Sequence, residues 1–351
     1  MNDLRELKLK VCCWLHERWR TEIAISAPAL GQIIGFEWLD LCNRQEKLMR
    51  NKGCKGRICD WEDTSPLTVC RIFPEVGARL LRRILREWPI GFVDKPHGNL
   101  RNDSPDVSII LAVAGEDRLQ QFQLCLKALY AQSGCSMEVI VVEQSWEQLI
   151  HKHCPSWIQY YHAPSTSPDM PFNKSWAMNI GASKAKAEHL IFHDADMPAP
   201  IKYVKTVRDL LNSGFQAARL PRLVFYLNPS ETEALYKGGR IEDVRYIPEV
   251  VQNCRGISLA IQKRSYWEIG GHDEAFYGWG GEDDEMLSRV HTLRFYPGGF
   301  MPFVHLWHSF AYNKTRDRNE QYLRERLSIP TALRIKELNQ KEQGKVYPSA
   351  M

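Results

Sequence analysis

The sequence predicts an α/β protein in which a mostly parallel sheet is flanked by helices and preceded by a small all-helical domain. Three observations predict it. From residue 107 onward, short continuous apolar runs alternate with stretches whose apolar residues recur three and four apart, as buried parallel strands joined by amphipathic helices do. Before residue 93 only the helical spacing is present. Asp194, Ala195 and Asp196 directly follow a buried run, at the sheet edge where doubly wound folds place their ligands.

Residues 1–92 read as the helical accessory domain. Leu4, Leu7, Val11, Trp14, Leu15 and Arg18 keep helical spacing, and a second helix is expected after Pro28 through Ile33, Ile34, Trp38 and Leu41. A third follows Pro74, carries Val76, Leu80, Leu81, Ile84, Leu85 and Trp88, and ends at Pro89. Residues 51–65, rich in Gly, Lys, Asp and Thr, read as loop. Arg79, Arg82, Arg83 and Arg86 make one side of the third helix basic, either as a solvated surface or as a face for an anionic or peptide partner. Residues 93–106, with Pro96, Gly98, Asn99, Asn102 and Pro105, form a linker.

The main domain spans residues 107–315. Strands are expected over 107–113, 137–142, 157–161 and 189–193, and helices over 118–130 and 173–187. No Gly-x-Gly-x-x-Gly follows the first strand and no Walker loop occurs, so the usual dinucleotide and P-loop fingerprints are missing. The tail, residues 316–351, is a charged amphipathic helix interrupted by Pro330. Both charge signs on it favour packing against the preceding domain or a partner over membrane contact.

Composition narrows the function. A net charge of +4 over 351 residues is too small to make nucleic acid the main partner. No run of 18 uncharged apolar residues exists, so no transmembrane anchor is expected, and the charged start is not a secretory signal. Ten scattered cysteines then read as reduced thiols in a cytoplasmic protein. Cys42, Cys54, Cys59 and Cys70 contain no Cys-x-x-Cys and match no common zinc spacing.

Three constellations carry chemistry. Gly278, Trp279, Gly280 and Gly281 lead into Glu282, Asp283, Asp284 and Glu285, four acids at the mouth of an expected helix, where crowding couples their proton affinities. An N-terminal cap with surplus acids is the bland alternative. Asp194 and Asp196 alternate along an extended chain, so both carboxylates aim beyond one sheet edge, where hard oxygen ligands suit Mg²⁺ or Mn²⁺. His305 and His308, three apart, are able to complete such a site, and imidazole tips the preference to Mn²⁺.

With these residues in view, the chain resembles the GT-A nucleotide-sugar glycosyltransferases, and its C-terminal part is similar to the β-1,4-galactosyltransferase and polypeptide N-acetylgalactosaminyltransferase group. Residues 172–181, 193–197 and 256–289 carry the resemblance, the last through Gly270, Gly271, His272, Asp273 and the Gly-Trp-Gly-Gly-Glu-Asp-Asp run. The resemblance implies that Asp196, His308 and His305 hold Mn²⁺ (or Mg²⁺), and that Asp194, Lys174, Glu143 and residues Ala112, Val113 and Ala114 meet the nucleotide. It implies Asp283 as general base, with Glu282, Asp284, Trp279, Gly280 and Gly281 around the sugars. Asn253, Cys254 and Arg255 stand where the galactosyltransferases place aromatic or small residues, and Asn253 is a candidate to admit an N-acetyl group. The implied activity is inverting transfer of a hexose or N-acetylhexosamine from a UDP-sugar to a saccharide, lipid-linked or peptide acceptor, in the cytoplasm as in bacterial enzymes of this type. Retaining transfer to a polypeptide and non-catalytic binding of a nucleotide sugar or glycan are the alternatives.

Overall fold

The computed structural model describes residues 2–59, 61, 63–95, 104–309 and 316–345. Helix α1 (Asn2–Cys13) continues through one π-turn into α2 (Trp19–Ser26), and α3 (Pro28–Ile33) starts with proline where no N–H is needed. Strands β1 (Leu48–Arg50), β2 (Arg57–Cys59) and β3 (Ser65–Pro66) precede α4 (Thr68–Ile72) and α5 (Pro74–Leu85).

The first 92 residues are therefore not wholly helical. The stretch read as loop becomes a β1–β2 hairpin, because Arg57 ties it down: its Nε lies 2.6 Å from Asp40 Oδ1 and its backbone N–H donates to Gly299. The second expected helix stops at Ile33, and Gly35 at φ +73° turns the chain away. Along α1 the expected apolar side faces solvent: Leu4, Leu7, Val11, Trp14 and Leu15 are 50–61% exposed, while Cys13, Thr21 and Ala24 are buried.

The main sheet follows. In chain order come β4 (Val107–Val113), α6 (Leu119–Tyr130), β5 (Met137–Ser145), β6 (Gln159–Pro164), α7 (Lys174–Lys184), β7 (His189–His193), α8 (Tyr203–Asn212) and β8 (Ala217–Ala218). Next are β9 (Pro221–Tyr226), α9 (Pro229–Tyr236), β10 (Glu249–Gln252), β11 (Ser258–Gln262), α10 (Lys263–Glu268) and α11 (Glu282–Val290). Then β12 (Phe295–Tyr296), β13 (Met301–His305), α12 (Arg316–Ser328) and α13 (Thr331–Leu338) complete the described chain. Seven strands pair in the order β12-β8-β11-β7-β4-β5-β6, with β7, β4, β5 and β6 parallel and β11 antiparallel to both neighbours. A second sheet, β13-β9-β10-β3, borrows its last strand from the N-terminal region.

That loan is one sign of a shared interior. A single buried cluster runs from Cys13, Trp38 and Leu80 to Val224, Val250 and Phe303. Arg222, buried in β9, donates to the carbonyls of Leu39 and Leu41. Three of the four arginines on the basic side of α5 are partnered within the fold, Arg79 by Glu22, Arg82 by the Val244 carbonyl at 2.6 Å and Arg83 by Glu87, while Arg86 is exposed. The linker read at Pro96, Gly98, Asn99 and Asn102 lies outside the described residues. At the other end, α12 and α13 pack on the main domain through Arg326–Asp273 and Arg334–Glu285.

Candidate active site

Gly280 and Gly281 stand at φ +97° and +92°, a pair of left-handed residues that lets α11 begin abruptly after the exposed Trp279. Asn319 fastens this turn from α12 by donating to the Tyr277 and Trp279 carbonyls. One helical turn then aims four acids three ways. Glu285 points inward and is clasped by Arg289 and Arg334, all three buried. Asp284 meets Arg255 at 2.7 Å. Asp283 and Glu282 face Lys174.

Lys174 opens α7, just after Asn173 caps that helix by accepting from the Trp176 N–H. Its Nζ lies 2.9 Å from Asp194 Oδ1, 3.3 Å from Asp283 Oδ2 and 3.9 Å from Glu282 Oε1. Burial disfavours the ammonium, but the carboxylates of Asp194, Asp283 and Glu282 outweigh it and hold its pKa well above the usual lysine value. Burial, with Asp283 beside it, pushes Glu282 up to about 7 against the pull of Lys174. Glu282 Oε2 is buried without a hydrogen-bond partner.

Two residues past Asp194, Asp196 meets the histidines that end and follow β13. One ligand atom from each of Asp196, His305 and His308 lies within 4.8 Å of the others, and His308 Nε2 is 3.4 Å from Asp196 Oδ2. The Leu306 N–H donates to the Asp196 carbonyl, which locks the two segments together. His305 stacks on Tyr226 with ring centroids 4.5 Å apart. Burial pulls its pKa down, with Asp196 partly offsetting, which favours the neutral imidazole that ligates metals. One carboxylate and two imidazoles fit a borderline divalent cation such as Mn²⁺. Arg118 Nη1 also reaches Asp196 Oδ2, at 3.2 Å.

The opposite wall is the start of β11. A Cβ on Gly256 would stand 2.5 Å from Asp283 Oδ2 and would push that carboxylate aside. Ile257 sits at φ +76°, a costly conformation for a β-branched residue, and its carbonyl accepts from the Asp194 N–H. Lys174, Asp194, Arg219, Arg255, Gly256 and Asp283 thus line one cleft.

Other expected site residues do not line this cleft. Glu143 is fully buried and its carboxylate accepts from the Leu149 and Ile150 N–H groups, Ser145 Oγ and the Tyr160 hydroxyl, so it orders the loop after β5. Ala112 is half-buried, Val113 buried and Ala114 exposed at the end of β4. Asn253, at φ +56°, gives its side-chain amide to the Trp61 and Asp63 carbonyls rather than to the cleft. Arg219 and Leu220 lead into β9, which Pro221 and Arg222 begin. Sequence reasoning missed Arg118 and singled out Arg255 only beside Asn253 and Cys254; isolated arginines carry no spacing signal.

Residues 242–297 match the family described as the N-terminal domain of galactosyltransferase. The chain is also similar to beta-1,4-galactosyltransferase 6 of Rattus norvegicus, with 27% identity over 126 residues, 34% of this chain and 27% of the relative. The Homo sapiens protein of that name matches to the same extent. The chain thus spans about a quarter of the length of these curated relatives. Among solved structures, the mannosyltransferase PcManGT from Pyrobaculum calidifontis, in complex with GDP-Man and Mn²⁺, has a TM-score of 0.42 and 16% identity, covering 74% of this chain and 72% of that one. That likeness is loose. The matched family segment contains the glycine turn, the four acids and the β11 wall, and over it the chain resembles the β-1,4-galactosyltransferases.

Proposed function

We propose that this chain is a metal-dependent, inverting glycosyltransferase of the GT-A type, moving a hexose or N-acetylhexosamine from a UDP-sugar to the hydroxyl of a saccharide, lipid-linked or peptide acceptor. The observation that carries it is the bridge made by Lys174 between Asp194, beside the carboxylate–imidazole trio, and Asp283, at the head of α11. One cleft then holds a donor end and an acceptor end.

Asp196, His305 and His308 would hold Mn²⁺ (or Mg²⁺), which supplies Lewis-acid neutralisation of the charge developing on the departing diphosphate. Asp194 and Lys174 orient the donor. Asp283 takes the proton from the acceptor hydroxyl as its oxygen attacks the anomeric carbon on the face opposite UDP, so the C–O bond to UDP breaks as the new one forms. That geometry inverts the anomeric centre. Glu282 and Asp284 shape the sugar pocket, and the exposed Trp279 offers a ring face at its rim. A carboxylate at 283, where the retaining polypeptide transferases commonly carry Asn, favours inversion. All ten cysteines are free thiols, in keeping with action in the cytoplasm, and no described helix is long and apolar enough to cross a membrane.

The test is a panel of nucleotide sugars scored for Mn²⁺-stimulated UDP release, followed by NMR of the product's anomeric configuration. Release with an inverted product is expected. A retained configuration would transfer the assignment to the retaining class, and no release or binding with any sugar would end the proposal.

A further inference from the structure

Charge pairing in the cleft is uneven. Lys174 is held by Asp194 and Asp283, while Arg255 meets Asp284 at 2.7 Å and Asp63 at 3.8 Å. Arg219 lines the same wall as Gly256 and Ile257. Its Nη1 is shut off from solvent with no hydrogen-bond partner, and no described carboxylate lies within 4.0 Å of its guanidinium. Burial pulls its pKa below the usual arginine value, and nearby Cys254 and Asp283 offset this only in part.

A half-buried guanidinium whose Nη1 is sealed from water without a counter-ion costs free energy that a bound anion relieves. The donor diphosphate belongs, on the reading above, with the Asp196, His305 and His308 end. Arg219 lines the same cleft as Asp283 and feels its charge, and on that reading the sugars meet there. A neutral pyranose offers it hydroxyls only, whereas a hexuronate offers a planar carboxylate that matches the guanidinium fork. We propose that Arg219 selects a sugar carrying a carboxylate, a hexuronate borne by either the donor or the acceptor. This rests on the glycosyl-transfer assignment.

Calorimetric titration of the full chain with Mn²⁺ present, using UDP, UDP-glucose and UDP-glucuronate, tests the donor arm on wild type, Arg219→Lys and Arg219→Met. UDP-glucuronate is expected to bind on the order of 10- to 100-fold more tightly than UDP-glucose, as a charge-assisted hydrogen bond provides. The gap should close in Arg219→Met, persist in part in Arg219→Lys, and leave UDP itself unaffected. If the acceptor carries the acid instead, the donors bind alike, and Arg219→Met raises KM by a similar factor for a hexuronate-ended oligosaccharide but not for a neutral one. Indifference to acid in both arms overturns the inference and leaves glycosyl transfer standing. Equal weakening of UDP by Arg219→Met also overturns it, by giving Arg219 to the diphosphate. Binding of none of the three nucleotides removes both assignments. Arg219→Met should raise the Tm of the unliganded protein, which separates lost recognition from lost folding.

Discussion

Lys174 Nζ lies 3.3 Å from Asp283 Oδ2, so the first residue of one helix holds the second residue of another across the cleft. Lys174→Met leaves Asp194, Glu282 and Asp283 repelling one another without a cation. Sugar transfer should fall by about 100-fold or more, in line with losing one preorganised charge from a catalytic site. Steady-state kinetics check this, and Lys174→Arg should recover part of the loss.

Asp283→Asn keeps the shape and removes the proton acceptor. Turnover should drop by about 10²- to 10⁴-fold while UDP affinity stays near wild type. Turnover unchanged by Asp283→Asn would remove Asp283 from the reaction.

Glu285 shares the helix and the charge of Asp283 but not its surroundings. Its carboxylate is buried between Arg289 and Arg334. Glu285→Gln should therefore cost about 3–5 kcal/mol of stability, the usual cost of breaking a buried ion pair. Chemical denaturation of this variant beside Asp283→Asn separates a structural acid from a catalytic one.

Glu282 gives a pH signature. Its pKa is raised in the folded protein to about 7 from an ordinary 4.5, so the folded state binds the proton more tightly than the unfolded one. Stability should then fall as pH climbs between those two values and level off above. Glu282→Gln should flatten that slope, and melting curves from pH 5 to 8 read the difference. An unchanged slope would mean that another group titrates.

Metal dependence has a readout apart from turnover. Mn²⁺ should raise the Tm of the wild-type protein, and His308→Ala or Asp196→Asn should abolish that rise by removing a ligand. Equal stabilisation of wild type and variants would place the cation elsewhere.

Much of the sheet was legible because β4, β5 and β7 are buried on both faces and read as unbroken apolar runs. The residues that meet in the cleft were legible where spacing was unusual: two aspartates after a buried strand, two histidines three apart, and four acids behind glycines. Orientation was not legible. Glu143 stands at a strand end, yet its carboxylate turns to the N–H groups of Leu149 and Ile150, a choice made by the loop's path. The β3–β10 pair joins Pro66 to Val251, a partnership no local pattern announces. Arg219 follows a two-residue strand and sits in the chain as one arginine among many.

The hydrocarbon interior that joins Trp38 and Leu80 to Val224 and Phe303 has an evolutionary corollary. The leading helices are not a detachable attachment that recombination can exchange between proteins. A transplanted version would need matching replacements in β9, β10 and β13, so novelty at the front of this chain is bound to drag the sheet-bearing half along with it.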